Sequence, residues 1–401
     1  MNKSLSFLLS GINKLVPKSD KKIAIYGRRM LNDNAEALLD YIISRKYNDR
    51  YKIYLLIHKN ILDENVKYKN VKNVYIYVNP LMTFYVMFRA LRVFHTQGTS
   101  RCAMRPQRGQ IIFNLWHGSP LKAIGGMIGD KKHPETDSYF LSASPFFAEI
   151  NEKCFGHTQQ QMFIGSNPRN DLLFNPRKLD LLSMFGVKGK LVLCMPTFRN
   201  SSGLGKNDAN KDFPLLSADN ISTFDDYLEG KNLTFIIKPH PYQNKIAFLK
   251  KEYKNIKVIY NEDLRRLDIR LYELLSCSDA LITDFSSVYF DYLLLNRPIG
   301  FAIDDLDCYK NNRGYTVDNP LKLMPGPNIK NLDELKMFIT DVVNECDSYV
   351  EERRRINNIA NTYKTGDACQ RILDFVGIKW ISILNCFQIL LSSVLVILLP
   401  N

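Results

Sequence analysis

Short apolar runs alternate with longer segments of helical periodicity along most of this chain. The runs "KIAIYG", "KIYLLI", "NVYIYV", "RVFHTQ", "IIFNLW" and "SYFLSAS" are rich in β-branched and aromatic residues, and segments such as "NDNAEALLDYIISRKY" separate them. Because parallel strands need a crossover of about a dozen residues, this order predicts a doubly wound parallel sheet with helices on both faces. A later set, "LVLCMPTF", "LTFIIKPH", "IKVIYN", "ALITDFS" and "PIGFAI", predicts a second sheet.

The length of 401 residues suits two domains of ordinary size. The polar, turn-rich segment "NPRKLDLLSMFGVKGK" predicts a boundary near residue 187. We expect an amphipathic N-terminal segment over 1–21, Rossmann-like domains over 22–187 and 188–345, and C-terminal helices with an apolar tail over 346–401. Two such α/β domains face each other across a central cleft, where ligands bind outside the carboxyl ends of the strands.

The charge of the chain predicts anionic partners. Lysine and arginine exceed aspartate and glutamate by 54 − 41 = 13, which favours nucleotides, phosphorylated substrates or acidic lipids. Nucleic acid is not expected, because the basic residues are dispersed and the aromatic residues fall mainly in predicted strands. The eight cysteines form no C-x-x-C pair, which is typical of reduced thiols in the cytosol.

Both ends of the chain are apolar enough to suggest contact with a membrane. "MNKSLSFLLSGINKLVPKSDKK" has helical periodicity and predicts either a basic amphipathic helix on the inner membrane surface or a helix packed on its own domain. "WISILNCFQILLSSVLVILLP", Trp380 to Pro400, approaches the about 20 residues of a bilayer span but contains polar residues. We interpret it as a membrane-dipping anchor, with a buried terminal helix as the alternative.

Two histidines occupy matching positions in the two predicted lobes. His117 and Gly118 follow the strand "IIFNLW", and His240 follows the strand "LTFIIK" between two prolines. A histidine at a strand end is often a hydrogen-bonded structural residue, but the pairing of these two by topology favours a role in acid–base chemistry.

Candidate phosphate ligands follow other strands of the second lobe. Asp284 ends the strand "ALITD", and Ser286 and Ser287 open a helix whose N–H groups suit a phosphate, although capping alone would explain the serines. Asp291 inside that helix is a candidate for a ribose diol. Arg199 in "MPTFRN" offers a planar cation for phosphate oxygens, unless it pairs with a neighbouring carboxylate.

The known nucleotide motifs and an obvious metal site are missing from the sequence. Neither G-x-x-x-x-G-K-[ST] nor G-x-G-x-x-G occurs, which argues against a P-loop enzyme or a dinucleotide dehydrogenase. "DDLD", Asp304 to Asp307, reads as an acidic surface turn rather than a magnesium site. We expect no metal and no cofactor.

Six segments spread over roughly residues 22 to 345 form a pattern: "NLWHGSPLKAIG", "IGSNPRNDLL", "MPTFR", "IIKPHP", "LITDFSSVYFDYLLLNRPIGFAIDDLDCYKNNRGY" and "MPGP". In order and spacing, these segments resemble the CDP-glycerol glycerophosphotransferase family of teichoic acid and capsular polymer synthesis. Ser119, where the family usually has threonine, and Lys238, near the family's arginine, are departures that concern substrate detail. The resemblance implies a GT-B architecture, with the acceptor on the first domain and a CDP-activated polyol phosphate donor on the second.

The resemblance also implies a reaction and roles for the candidate residues. Glycerol phosphate passes from CDP-glycerol to a hydroxyl of an acceptor carried on a polyprenyl diphosphate lipid at the cytoplasmic face of the membrane, and CMP leaves. His117 is then the expected general base, and His240 hydrogen-bonds or protonates the phosphates. Ser286, Ser287, Arg199 and Arg313 in "NNRGY" hold the diphosphate, and Asp291 takes the ribose.

Other functions remain open at this point. A CDP-ribitol phosphotransferase or a nucleotide-sugar-dependent GT-B glycosyltransferase would use the same architecture. A DNA-binding protein or a non-catalytic membrane scaffold would need neither histidine. The modest length favours a primase or short-chain transferase over a long-chain polymerase.

Overall fold

The chain forms two parallel sheets, each covered by helices. We call each sheet with its helices a lobe, the first and second in chain order. The structure is a computed structural model. It describes residues 3–27, 31, 33–99, 102–130, 132–197, 200–201, 206–207, 213–240, 243, 246–306 and 314–379. This arrangement confirms the predicted α/β class with two doubly wound sheets.

The first sheet has seven described strands in the order β3-β2-β1-β4-β5-β6-β7, all pairs parallel. Its strands are β1 (Ser19–Gly27), β2 (Lys52–Ile57), β3 (Val74–Tyr77), β4 (Ala90–His95), β5 (Ile111–Asn114), β6 (Tyr139–Ser142) and β7 (Met162–Ile164). The order reverses between β1 and β4, so this sheet is doubly wound as the sequence predicts.

The second sheet has six described strands in the order β12-β11-β8-β13-β14-β15, again all parallel. Its strands are β8 (Lys190–Cys194), β11 (Leu233–Ile237), β12 (Ile256–Val258), β13 (Ala280–Thr283), β14 (Ile299–Ala302) and β15 (Asn328–Ile329). Two short strands, β9 (Asn200–Ser201) and β10 (Lys206–Asn207), pair with each other in a separate antiparallel sheet. The order reverses between β8 and β13, so loops after these two strands border the crevice where ligands bind in such folds.

Helices connect the strands of both lobes. The α-helices are α1 (Lys3–Leu15), α2 (Asp33–Ser44), α3 (Pro80–Arg89), α4 (Pro145–Phe155), α5 (Asp171–Phe174), α6 (Leu181–Phe185), α7 (Ile221–Leu228), α8 (Asn261–Arg266), α9 (Leu271–Cys277), α10 (Val288–Tyr292), α11 (Leu332–Val343), α12 (Val350–Ala360) and α13 (Ala368–Phe375). Short 3₁₀ turns include Asp63–Tyr68, Gly125–Ile128, Pro168–Asn170 and Leu293–Leu295.

The central strands are apolar because both faces of each sheet are covered. Every residue of β11, β13 and β14 is buried, as expected of parallel strands with helices on both sides. On the first sheet, one face packs against α2 and α13, and the other against α1 and α3.

A third apolar core joins the two lobes. Phe147 on α4 packs edge-on against Phe290 on α10, with ring centroids 4.8 Å apart. Leu121 and Cys154 of the first lobe are buried in the same cluster as Tyr289 of the second. Apolar burial therefore fixes one side of the contact between the lobes.

The C-terminal part of the described chain returns to the first lobe. Cys369, Ile372 and Leu373 on α13 are buried against the first sheet. Asp171 accepts hydrogen bonds from the backbone N–H groups of Ala368 (2.7 Å) and Cys369 (2.9 Å) at the start of this helix. Asn361, which follows α12, donates to the backbone oxygen of Phe290 on α10 at 2.7 Å, so the segment 346–379 contacts both lobes.

The N-terminal segment forms helix α1, which lies on the first sheet beside α3. Leu9 and Asn13 are its buried residues, while Phe7, Leu8 and Leu15 are exposed. Within the described ranges, no helix is long and apolar enough to cross a membrane. The apolar tail, Trp380 to Pro400, lies outside the described residues.

Candidate active site

A cavity of about 960 Å³ lies between the two lobes. Its first-lobe wall includes Glu36, Glu64, Lys67 and Arg169, and its second-lobe wall includes Pro196, Thr197, Lys238, His240, Arg270, Tyr272 and Ser286. Most of the second-lobe residues follow the carboxyl ends of β8, β11 and β13, which are neighbours in the sheet, while Arg270 and Tyr272 stand at the start of α9. The cavity therefore occupies the crevice that the predicted fold assigns to ligands.

Asp284 ties two of these strand ends together beneath the cavity. Its carboxylate is fully buried and accepts hydrogen bonds from the N–H and hydroxyl of Thr197, at 3.0 and 2.8 Å, and from the N–H of Ser286 at 3.1 Å. The N–H of Ser286 is thereby already donated within the protein. Ser286 itself lines the cavity, so its hydroxyl group is the part of this residue that could contact a phosphate.

His240 stands at the end of β11 and lines the cavity. Burial, and then the positive charges of Lys122 and Lys238, lower the pKa of its imidazole to about 4 against the opposing effect of Asp284. The ring is therefore neutral near pH 7 in the protein without ligand. Lys122, in the loop that follows His117, therefore contributes to the positive charge around His240.

His117 lies in a strained turn directly after β5. Trp116 has φ of 46°, a left-handed conformation that is uncommon for a bulky residue, and its ring stacks on the His117 ring with centroids 3.8 Å apart. Burial, and then the charge of Arg169, lower the pKa of His117 to about 4. A neutral imidazole at physiological pH can accept a proton, which is what a general base requires.

Gly118 lies against the second lobe next to His117. Its φ is +140°, and a Cβ at this position would lie 2.7 Å from Oγ of Ser287 and 3.1 Å from Nη2 of Arg169. Only glycine allows this approach without displacing the serine or the arginine. Gly118 and Ser287, which the sequence predicts as substrate ligands, therefore meet across the interface between the lobes.

Arg169 links the His117 loop to the second lobe. Its Nη1 donates to the backbone oxygen of His117 at 3.0 Å, and its Nη2 donates to Oδ2 of Asp291 at 2.7 Å. Asn167 and Tyr272 also donate to the Asp291 carboxylate, at 2.9 and 2.6 Å.

The position of Asp291 differs from the sequence prediction. The residue is only 2% exposed, and both carboxylate oxygens accept hydrogen bonds from protein donors. A ribose diol would have to displace those donors, so this placement does not suit the predicted ribose contact. The buried charge of Arg169 explains why a carboxylate is needed here instead.

Further contacts between the lobes involve the loop after His117 and helix α2. Ala123 donates its N–H to the oxygen of Gly314 at 3.1 Å, and Thr316 donates its N–H to the oxygen of Leu121 at 2.9 Å. Across the cavity, Arg270 of the second lobe forms ion pairs with Glu36 and Asp40 on α2. The lobes are therefore held around the cavity by both backbone and charged contacts.

Two predicted ligands, Arg199 and Arg313, lie outside the described residues. Of the acidic turn, Asp304 accepts a hydrogen bond from the N–H of Leu215 at 3.1 Å. In the part of the chain that the structure describes, no three His, Cys, Asp or Glu side chains are grouped so as to hold a metal ion.

Sequence reasoning missed Arg169, Asn34 and Lys238 as parts of the site. Asn34 on α2 donates to the backbone oxygens of Leu115 and Trp116, at 3.0 and 3.1 Å, and so helps to hold the His117 turn. Lys238 is a buried cation in the cavity wall. Lys238 directly follows β11, and Arg169 lies a few residues after β7. Their position after a parallel strand was the sequence signal that could have identified both as site residues.

Comparison with known proteins gives a family match over nearly the whole chain. The sequence profile of the CDP-glycerol:poly(glycerophosphate) glycerophosphotransferases matches residues 9–377. A teichoic acid poly(glycerol phosphate) polymerase of Bacillus spizizenii is 26% identical over 393 residues, which cover 90% of this chain and 93% of that protein. A teichoic acid ribitol-phosphate primase of the same species is 29% identical over 305 residues, covering 68% of this chain and 71% of that protein.

A solved structure shares the arrangement of both lobes. The wall teichoic acid polymerase TagF, in a variant soaked with CDPG, superposes with a TM-score of 0.73 at 21% identity, covering 93% of this chain and 92% of that one. The fold is accordingly the two-domain GT-B architecture that the resemblance implies. Because the family match extends from Leu9 to Gly377, this protein belongs to the CDP-glycerol:poly(glycerophosphate) glycerophosphotransferase family.

Proposed function

We propose that this enzyme transfers glycerol phosphate from CDP-glycerol to a hydroxyl group of a lipid-linked acceptor and releases CMP. The observation that carries the proposal is the placement of two histidines, both uncharged near neutral pH, after strands of the two facing lobes. His240 lines the cavity, and the backbone oxygen of His117 accepts a hydrogen bond from Arg169, which lines the same cavity. Family membership supplies the donor class, and the cavity volume of about 960 Å³ is of the size that accommodates a small-molecule ligand.

His117 serves as the general base in this proposal. The acceptor oxygen attacks the phosphorus that carries the glycerol, and His117 takes the hydroxyl proton. The bond between that phosphorus and the oxygen bridging to CMP breaks, and its electron pair stays on the departing CMP phosphate. Since an alcohol is a poor nucleophile, removing its proton as the bond forms lowers the barrier.

His240, Lys238 and Ser286 bind the diphosphate of the donor. They come from the ends of β11 and β13 and line one wall of the cavity. The negative charge of the donor offsets the lysines that depress the pKa of His240, so this imidazole gains a proton and donates to a phosphate oxygen as negative charge develops. Arg199 and Arg313 remain proposed as further phosphate ligands, and Ser287 as a residue that borders the donor.

The acceptor is proposed to reach the cavity from an anionic membrane surface on the cytoplasmic side. Exposed apolar side chains stand on the neighbouring helices α1 and α3, with Phe7 83%, Leu15 76% and Leu81 78% exposed. Lys14 lies exposed in the last turn of α1, where it would meet acidic headgroups. The apolar tail, Trp380 to Pro400, is proposed as a second anchor.

Ribitol phosphate is the second candidate for the transferred group. Its support is the similarity to the ribitol-phosphate primase, which is close to the similarity to the glycerol phosphate polymerase. The donor panel below distinguishes the two candidates.

The experiment is a donor panel with purified enzyme. CDP-glycerol, CDP-ribitol and UDP-N-acetylglucosamine are each supplied with a lipid-diphosphate acceptor, and the released CMP or UDP is measured. We expect acceptor-dependent CMP release with CDP-glycerol. CMP release from CDP-ribitol alone would show that the transferred group is ribitol phosphate. UDP release alone would show that the enzyme is a glycosyltransferase. Mass analysis of the product, by the number of added units, separates a primase from a polymerase.

A further inference from the structure

Three residues that have no role in the site so far meet beneath the His117 turn. Asp137 accepts a hydrogen bond from Nε2 of His95 at 2.9 Å on one oxygen and from Nε2 of His157 at 3.0 Å on the other. All three are buried, with exposed fractions of 0% for His95, 7% for Asp137 and 4% for His157. Half of the chain's six histidines thus lie at this edge of the first sheet once His117 is counted with the pair.

The protonation of the cluster follows from its partners. Nδ1 of His95 accepts the N–H of Gly98 at 3.0 Å, so the ring carries its proton on Nε2 and donates it to Asp137. Burial alone raises the pKa of Asp137, but His95 and His157 outweigh it and hold this pKa well below its usual range. Asp137 is therefore a buried anion that accepts from two imidazoles.

A chain of hydrogen bonds leads from Asp137 to the strained turn. Nδ2 of Asn114, the last residue of β5, donates to Oδ2 of Asp137 at 3.0 Å. Oδ1 of the same side chain accepts the N–H of Trp116 at 3.0 Å. The anion thus fixes which way the Asn114 amide points, and the amide then holds the backbone of Trp116, the residue with φ of 46°.

Aromatic packing gives a second route from the cluster to His117. The ring of His157 packs on Phe140 with centroids 4.6 Å apart, and Phe140 packs on Trp116 at 5.7 Å. Trp116 in turn stacks on His117. Rings in contact at these separations restrict one another's orientation, so a shift of His157 is transmitted to the base.

We propose that Asp137 is a positioning residue for His117, acting through Asn114 and Trp116, with His95 and His157 holding its carboxylate in place. This rests on the proposed role of His117 as the base. Asp137 makes no hydrogen bond to His117 itself and so takes no part in the proton transfer. Its role is to keep the left-handed turn that buries the imidazole against Trp116.

The test must distinguish an effect of the turn on the His117 pKa from an effect of the charged and titratable groups that face His117. Arg169 lies against the His117 backbone and carries a positive charge that is offset by Asp291, which Tyr272 also contacts. A substitution at Asp137 alters none of these groups, but Asp137→Asn removes the buried negative charge of Asp137 itself. Losing a nearby anion lowers the pKa of an imidazole, so a rise in the His117 pKa in this variant reports the turn.

The test compares Asp137→Asn with the wild-type enzyme by two measurements. Full-length protein with ¹³C-labelled histidine contains only six imidazole signals, so single substitutions assign the His117 signal, and its pKa is read by titration without any turnover. CMP release gives kcat and KM for the donor. We expect the His117 pKa to rise from about 4 toward its ordinary value of about 6.5, because the turn opens to water. Turnover falls by about 10- to 100-fold with the donor KM unchanged.

Asp225→Asn is the matched control. Asp225 is also 7% exposed and accepts backbone N–H groups of Asn255 and Ile256 at 2.8 and 3.0 Å, but it lies on α7 far from the His117 turn in the chain. This variant should lose stability without moving the His117 titration. If Asp137→Asn does not fold, Asn114→Ala cuts the same chain of hydrogen bonds one step closer to Trp116.

The outcomes distinguish the positioning role from the proposed function. An unchanged His117 pKa in Asp137→Asn or Asn114→Ala overturns the positioning role, whatever the activity. A shifted pKa with no effect on turnover keeps Asp137 as a support for the turn and overturns His117 as the base. Shifted pKa and reduced turnover together support both.

Discussion

The guanidinium of Arg169 in the first lobe and the carboxylate of Asp291 in the second form a buried ion pair across the interface, with Nη2 and Oδ2 2.7 Å apart. Because the same guanidinium donates to the backbone oxygen of His117, the position of the proposed base depends on contact between the lobes. The pair also stands next to the cavity, since Arg169 forms part of its wall.

Asp291→Asn should destabilise the protein more than loss of an exposed ion pair does. The side chains of Arg169 and Asp291 are 6% and 3% exposed, so the variant leaves a buried cation without its anion. Breaking such a pair costs about 3–5 kcal/mol in the free energy of unfolding, which denaturant titration measures. Glu352→Gln, which breaks the exposed pair with Arg355, is the control and should cost no more than about 1 kcal/mol. Equal costs for the two variants would show that Asp291 does not balance a buried charge.

Gly118→Ala should separate the lobes near His117 and lower turnover by about 10- to 100-fold. The new methyl group would lie 2.7 Å from Oγ of Ser287, in addition to the strain of a φ of +140°. The double variant Gly118→Ala with Ser287→Gly removes the contact with Ser287, leaves the longer one of 3.1 Å with Nη2 of Arg169, and should recover part of the activity lost in the single variant. Gly129→Ala is the control, since its φ is also positive at +81° but nothing lies within 4 Å of the added atom. No recovery in the double variant would mean that contact with Ser287 is not the cause of the defect.

The affinity for CDP-glycerol should increase as the pH falls from about 6.5 toward about 4. His240 is neutral in the free protein over this range because burial lowers its pKa, and the bound diphosphate raises that pKa again. Binding therefore takes up a proton, and mass action makes it tighter in acid. Calorimetry without acceptor, in buffers of different ionisation enthalpy, measures the proton uptake. His240→Asn should bind with no uptake, and equal uptake by this variant would assign the proton to another group.

The free energy of unfolding of the unliganded protein should fall over the same pH range. For both His117 and His240, the pKa in the folded state lies below that in the unfolded chain. The unfolded state therefore binds more protons between about pH 6.5 and about pH 4, so the stabilisation is complete above this range and is lost as the pH falls through it. Denaturant titrations at a series of pH values measure the slope, which should be shallower in His240→Asn. An unchanged slope would mean that His240 titrates normally in the folded protein.

Phe7→Ser with Leu15→Ser should weaken binding to vesicles that contain anionic lipid. Both side chains are exposed on α1, where the proposed membrane contact is apolar at its centre and basic at its edge. Flotation with vesicles of phosphatidylglycerol and phosphatidylcholine measures the bound fraction, and turnover on a water-soluble acceptor analogue should not change. Met337→Ser on α11, a comparably exposed apolar residue on the second lobe at 66%, is the control. Equal binding of the two variants would remove α1 from the membrane contact.

The sequence was sufficient to predict the two sheets and the strand ends that carry chemistry, because parallel strands covered on both sides are apolar runs with polar residues at their carboxyl ends. His240 and Ser286 lie in the cavity wall for this reason. Asp291 was predicted to contact a ribose because helical periodicity indicates which face of a helix a residue lies on, but not which side chain it contacts there. That partner, Arg169, is 122 residues away, and only the folded chain brings the two together. The cluster of His95, Asp137 and His157 was missed for the same reason.

The central claim is that His117 removes the proton from the acceptor hydroxyl, and acceptor-dependent CMP release from CDP-glycerol by His117→Ala tests it most directly. Turnover at pH 7 should fall by about 10²- to 10⁴-fold with donor affinity nearly unchanged, because a base acts in the transition state and not in donor binding. His133→Ala, which removes a half-exposed imidazole of the first lobe, should leave turnover unchanged. Wild-type turnover in a folded His117→Ala enzyme would contradict the account.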